Sequence, residues 1–191
     1  MTLAVVKVGG SLYDLPDLGK QLRSWLAALA APRVLLVPGG GVTADVVRDL
    51  DRCHALGEVV AHGLALRAMT LNAWFLSALL GGTVPVVNPW RERCWEGVAL
   101  LDAHAFCQEV EVNQGLPALW DVTSDSVAAH AAILLGAREL VLLKSTDGGE
   151  ECDWNVACRR GLVDPFFPGM ISKSSLTVRV VNLRRYRAPH G

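Results

Sequence analysis

The chain has 191 residues, a net charge of −1 and five cysteines; that length suits a single domain over 1–191, and the mixed charge offers no basic footprint for nucleic acid and no acidic tail. Cys53, Cys94, Cys107, Cys152 and Cys158 include no C-x-x-C pair, which argues against a disulfide framework or a zinc site and for reduced thiols. No charged segment with a long apolar run opens the sequence, and the run Trp25 to Ala31 is too short for a bilayer, so a soluble cytoplasmic protein without membrane partners is expected.

In chain order, the apolar, β-branched run Leu3 to Val8 predicts a buried parallel strand, and Leu18, Leu22, Leu26 and Leu29 predict a helix over Leu18 to Ala31, ended by Pro32. Arg33 to Val37 reads as a second buried strand. Val42 to Leu80 is helical with a break near Gly57, and Gly81 and Gly82 stop it. Thr83 to Val87 predicts a short strand, Asn88 to Gly97 a surface loop and Asp102 to Val110 a helix. Thr123 to Leu135 is strongly helical, Glu139 to Leu143 a strand, "STDGGEECD" a loop, Asp164 to Ser174 a candidate helix and Val178 to Val181 a last strand. Strands alternating with helices and lacking tight hairpins predict βαβ units: an α/β protein with a mainly parallel sheet and helices on both faces.

In such a sheet, ligands bind at the carboxyl ends of the strands. Two strands run straight into glycines, Gly9 and Gly10 and then Gly39, Gly40 and Gly41, and each turn leads into a helix. Such turns offer free backbone N–H groups to phosphate oxygens, although αL turn glycines would look the same. Lys7 lies inside a buried strand, where an ammonium is costly unless paired or aimed at an anion; a lysine snorkelling from a sheet edge is the plainer reading. Thr123 or Ser124 can cap a helix with Asp125 in its first turn, near the same crevice. Lys144 ends a strand before Ser145, Thr146, Asp147 and Gly148, and Lys173 is a further cation that can offset charge on a transferring phosphoryl group. His62 and Arg67 sit on the long helix and face either an acceptor or solvent. Trp74, Trp90, Trp95, Trp120 and Trp154 show no regular spacing and read as core and loop packing. A rival reading is the dinucleotide fingerprint Gly39-x-Gly41-x-x-Ala44, but it expects a second strand ending in an acid about 20 residues on, where this sequence stays helical.

Taken in order, "KVGGSL", "VPGGG", "TSDSVAAHAAILLGARELVLL" and "TDG" resemble the amino acid kinase superfamily over nearly the whole chain. The resemblance implies a three-layer αβα sandwich without a Walker P-loop, and no G-x-x-x-x-G-K-[ST] occurs. It implies that Lys7, Gly9, Gly10 and Ser11 hold the transferring phosphoryl group and that Asp125 organises the site. Ser145, Thr146, Asp147 and Gly148 would meet ATP, whose Mg²⁺ no protein side chain is assigned to hold. Gly39, Gly40, Gly41, His62, Arg67, Thr123 and Ser124 would face the acceptor, and Lys144 or Lys173 would be the second catalytic lysine. Within the superfamily, "PGGG...ADVVRDLD", the spacing of His62, Ala65 and Met69, "TSDS" and "FP...VVN" are similar to a short-chain branch acting in methanofuran biosynthesis. That branch implies phosphorylation of (5-(aminomethyl)furan-3-yl)methyl phosphate to the diphosphate, and the superfamily implies a homo-oligomer. Val42 to Val46 lacks the histidine of isopentenyl phosphate kinases, and His62 stands where uridylate kinases carry an acid. Alternatives are an acetylglutamate- or uridylate-type acceptor, or a nucleotide-binding storage or regulatory protein of the same fold.

Overall fold

The elements follow one another as β1 (Leu3–Val8), α1 (Leu18–Ala28), β2 (Arg33–Pro38), α2 (Gly41–His54), α3 (Glu58–Leu79), β3 (Val86–Val87), β4 (Gly97–Leu101), α4 (Ala103–Gln114), α5 (Ser124–Leu134), β5 (Glu139–Lys144), α6 (Trp154–Arg159), α7 (Phe167–Ile171) and β6 (Thr177–Asn182). Short 3-10 turns lie at Gly10–Leu12 and Leu183–Arg185. The structure is a computed structural model that describes residues 2–92, 94–148 and 153–187. Its six strands pair in the order β3-β4-β2-β1-β5-β6, and every pairing is parallel, so each connection must cross a face of the sheet.

Period-two alternation divides the strand residues between two cores. Leu3, Val5, Leu35, Val37, Leu140 and Leu142 pack with Phe106, Ala128 and Phe167 on the face covered by α4, α5 and α7. Their neighbours Val6, Val8, Leu36, Val141 and Leu143 pack with Leu18, Leu22 and Trp25 of α1 on the other. Three layers result, because a parallel sheet buried on both faces needs helices on both. Each fully buried Leu or Phe contributes about 1.5–3 kcal/mol, and truncating Phe106 to alanine would cost about 3–5 kcal/mol through the cavity left behind. Helix α3 serves both cores: Leu66 and Met69 join the first, Ala73 and Leu76 the second. Among the described residues it is the one helix long and apolar enough to cross a membrane, and 44% of its apolar stretch is buried inside the fold.

The predicted elements are corrected at several points. Helix α1 stops at Ala28, because Leu29 is already extended ahead of Pro32. The strand expected over Thr83 to Val87 shrinks to Val86–Val87, since Gly81 and Gly82 take left-handed φ of 102° and 75° and the chain needs the following residues to re-enter the sheet. Strand β4, "GVALL", lies outside the predicted elements; a five-residue apolar run between loop and helix carries little periodicity, and pairing with β2 makes it a strand. The helix expected over Asp164 to Ser174 is only Phe167–Ile171, with Pro168 in its first turn, while α6 was not anticipated. Strand β6 extends one residue beyond the expected run at each end, to Thr177 and Asn182, through its pairing with β5. The helical break near Gly57 is present: Ala55 and Gly57 take φ of 50° and 83° between α2 and α3.

Candidate active site

Register places the charges. Lys7 follows Val5 by two residues and Lys144 follows Leu142 by two, so both continue rows whose earlier members enter the core under α5. Lys7 pairs with Leu142 across the β1–β5 ladder, which sets the two lysines side by side at the carboxyl edge. There the sheet's apolar row ends and the first turn of α5 brings in Asp125. Its Oδ1 lies 2.9 Å from Lys7 Nζ and 2.7 Å from Lys144 Nζ, and its Oδ2 accepts from Lys144 at 2.8 Å. Lys7, Asp125 and Lys144 are 5%, 4% and 9% exposed, so water solvates this cluster poorly. Burial alone would push the Asp125 carboxyl up, but the two ammonium groups reverse that and hold it below the usual carboxylate range. Burial and the Lys7 ammonium push Lys144 down to about 8, against the attraction of Asp125. Two cations on one carboxylate leave a buried excess of positive charge, which favours an anion in front of them.

The approach of α5 is held by a second buried carboxylate. Asp164, 6% exposed, accepts from the backbone N–H groups of Thr123, Ser126, Phe166 and Phe167 and from the hydroxyls of Thr123 and Ser126. Thr123 caps α5, its Oγ1 accepting from Asp125 N–H at 3.4 Å. Asp164 thereby ties the start of α5 to the turn before α7 and fixes where Asp125 points.

The two glycine turns meet each other. A Cβ on Gly10 would lie 2.3 Å from Gly41 N, and one on Gly39 2.4 Å from Gly10 N. Their lack of side chains is therefore required by backbone contact between the turns. Gly41 also takes a left-handed φ of 53°. Tyr13 Oη donates to Gly39 O at 2.9 Å, and the amide of buried Asn72 donates to Gly39 O at 2.8 Å and Gly40 O at 2.7 Å. Burial raises the Tyr13 hydroxyl, which keeps it a donor. Neither the Gly10–Leu12 turn nor α2 has a side-chain cap, so no side chain of the cap residue takes up their first N–H groups.

The turns and the lysines border a cavity of about 420 Å³. Lys7, Lys144, Gly9, Gly10, Ser11, Gly40 and Gly41 form one end; Ser145 and Thr146 flank it, and Ser11 Oγ and Ser145 Oγ lie 2.9 Å apart. Thr123, Ser124 and His62 line the other part with Leu66, Met69 and Val122, and Asp45, Arg48 and Trp120 stand at its rim. Asp125 lies beneath, behind the lysines. Five candidates are not brought to this cavity. The Gly39 carbonyl is engaged by Tyr13 and Asn72, and Arg67 lines a separate cavity of about 330 Å³ with His104 and His130. Asp147 pairs with Arg185 at 2.6 Å, Gly148 abuts Val180, and Lys173 is exposed beyond α7. Trp120 packs from its loop onto α2 as expected and also lines the cavity, whereas Trp74, 60% exposed on α3, is no core residue; Trp95 and Trp154 pack as expected.

Sequence reasoning missed Asn72, Asp164, Asp45 and Arg48. The signals were there in part: Asp45 and Arg48 follow Gly41 at helical spacing on α2, and Asn72 interrupts an apolar helix. Among the described residues no group of three or more His, Cys, Asp or Glu is placed to hold a metal.

No family model matches the chain. A [5-(aminomethyl)furan-3-yl]methyl phosphate kinase of Methanocaldococcus jannaschii is 28% identical over 193 residues, covering 94% of this chain and 88% of that protein. A uridylate kinase of Methanococcoides burtonii is 31% identical over 150 residues, but the match spans 76% of this chain and 61% of the relative. Among solved structures, uridylate kinase from Archaeoglobus fulgidus superposes with a TM-score of 0.65 at 18% identity, covering 95% of this chain and 90% of its own. UMP kinase from Ureaplasma parvum gives 0.66 at 16%, covering 96% and 91%. The parallel αβα sandwich, the glycine turns at its carboxyl edge and relatives that align along most of its length agree: the chain belongs to the amino acid kinase superfamily and is a phosphotransferase of that fold.

Proposed function

We propose that the protein is an ATP-dependent kinase that phosphorylates a small phosphomonoester, (5-(aminomethyl)furan-3-yl)methyl phosphate, to its diphosphate. The observation that carries this reading is the buried pair of lysines on Asp125, with its excess positive charge facing a cavity walled by two uncapped glycine turns. Support for this acceptor over a nucleotide comes from coverage: the furan phosphate kinase aligns with 94% of this chain, the uridylate kinase of M. burtonii with 76%.

When bound, MgATP supplies the γ-phosphoryl group and the metal that offsets charge on its oxygens. Lys7 and Lys144 neutralise the charge that spreads over the phosphoryl oxygens in the transition state, and Asp125 holds both ammonium groups at one place. The N–H groups of the first glycine turn, with Ser11, Ser145 and Thr146, suit the donor phosphates. Those at the start of α2 suit the acceptor phosphate. An acceptor phosphate is already anionic near neutral pH, so no general base is needed. Lys144, within the cluster, is the better second lysine than exposed Lys173. A cytoplasmic setting accords with the free thiols of Cys53, Cys94 and Cys158, and self-association with the exposed Val42, Val46, Leu71 and Trp74 on α2 and α3.

The test is ADP release from MgATP with purified protein, offered the furan phosphate, UMP, isopentenyl phosphate, acetylglutamate or no acceptor. Turnover confined to the furan phosphate is expected. Turnover with UMP alone would transfer the reading to a nucleotide kinase, and nucleotide binding without turnover to a storage or regulatory protein.

A further inference from the structure

The rim of the cavity carries an aromatic side chain that the mechanism does not use. Trp120 sits on the loop between α4 and α5, half-buried, and its indole lines the cavity. It is latched to α2 at two points. Its Nε1–H donates to Asp51 Oδ2 at 2.9 Å, and the Arg48 guanidinium carbon lies 4.9 Å from its ring centroid. Each latch is itself anchored: Asp51 Oδ1 accepts from Gly57 N–H at 3.0 Å at the α2–α3 break, and Arg48 pairs with Asp45 Oδ1 at 2.7 Å. An indole that served only to hold the loop could turn its whole surface to α2. This one also lines the cavity, whose walls include the apolar Leu66, Met69 and Val122.

We infer that Trp120 is the specificity-determining residue for the acceptor, a fixed aromatic wall against which a flat, unsaturated ring packs while the acceptor phosphate lies at the lysine end. Two properties of the wall select such a ring. A rigid aromatic surface with apolar neighbours favours a planar π-system over a flexible chain, and the latching of the indole before binding removes the ordering cost that a mobile side chain would impose. Arg48 and Asp51 are positioning residues that act through the indole. The inference rests on the kinase reading above and adds the feature of the acceptor that is recognised.

The experiment compares wild type, Trp120→Leu, Trp120→Phe and Asp51→Asn in steady-state ADP release with the furan phosphate, UMP and isopentenyl phosphate, alongside titration of each acceptor without nucleotide by intrinsic tryptophan fluorescence. Trp120→Leu should raise KM for a ring-bearing acceptor about tenfold and change kcat less than twofold. Trp120→Phe should recover most of that loss, and Asp51→Asn should raise KM about threefold with the ring still present. Acceptor binding should quench wild-type fluorescence and lose that signal in Trp120→Phe. Unchanged KM in Trp120→Leu, a Phe variant no better than Leu, or turnover of isopentenyl phosphate alone would overturn the inference while leaving the kinase reading intact. Absence of turnover with every acceptor would defeat the kinase reading, and the titration then decides alone: a quench lost in Trp120→Phe supports the aromatic wall, and no quench, or one that persists, overturns it.

Discussion

The two ends of the cavity are built by different means. At the lysine end the groups are buried, stand on neighbouring strands β1 and β5 and on the first turn of α5, and are placed by strand register. At the rim, Asp45, Arg48 and Trp120 come from a helix and a loop, keep partial contact with water, and hold one another by side-chain contacts. A one-residue slip in register would turn both lysines to the wrong face, whereas the rim can change one side chain at a time. On the proposed reading, phosphoryl chemistry belongs to the rigid end and acceptor choice to the adjustable one.

Breaking the buried end should give the largest effects. Asp125→Asn leaves two adjacent ammonium groups without a counter-charge, and is expected to abolish turnover and to cost about 3–5 kcal/mol of stability, read as kcat and as a denaturant midpoint. Lys7→Met should lower kcat about a thousandfold with the far-ultraviolet circular dichroism retained, because Lys144 still pairs with Asp125; full activity would remove Lys7 from the mechanism. Gly10→Ala forces the glycine turns apart, for a loss of about 1–3 kcal/mol and a raised KM for both substrates, by thermal melting and kinetics.

The pH dependence sharpens the same contrast. With Lys144 at about 8, kcat should fall on the alkaline side as its ammonium is lost. Stability should move the other way. Between about 8 and the ordinary lysine value of 10.5 the unfolded chain binds the proton that the folded one has released, so the Lys144 contribution to unfolding free energy rises with pH in that window. Activity and stability profiles that fall together there would contradict this placement of Lys144. The smallest effect is expected from Lys173→Ala, within twofold of wild type in kcat and both KM values, since the side chain is exposed and outside the cavity.

Much of the catalytic end was legible before the fold was seen. A lysine inside "LAVVKV", another closing "ELVLLK" and an aspartate after "TS" are each out of keeping with their surroundings, and buried parallel strands make such exceptions visible. Asp164 was not legible in the same way, because its six partners come from two segments about forty residues apart in the chain. The sequence pattern of the glycines predicts phosphate turns; only the packed structure shows that Gly10 and Gly39 have no room for side chains, Gly10 because of Gly41 and Gly39 because of Gly10.

The sequence by itself determined the alternation of strand and helix, the parallel sheet and the presence of charged residues, Lys7, Asp125 and Lys144, at strand and helix ends, since periodicity and residue type are local properties of the chain. Tertiary structure alone decided that Arg67 and Lys173 lie elsewhere, that Asn72 and Asp164 hold the site in place, and that Trp120 faces the cavity. Those outcomes depend on which helix faces meet across the sheet edge, and contacts between residues distant in the chain leave little local trace in composition or spacing.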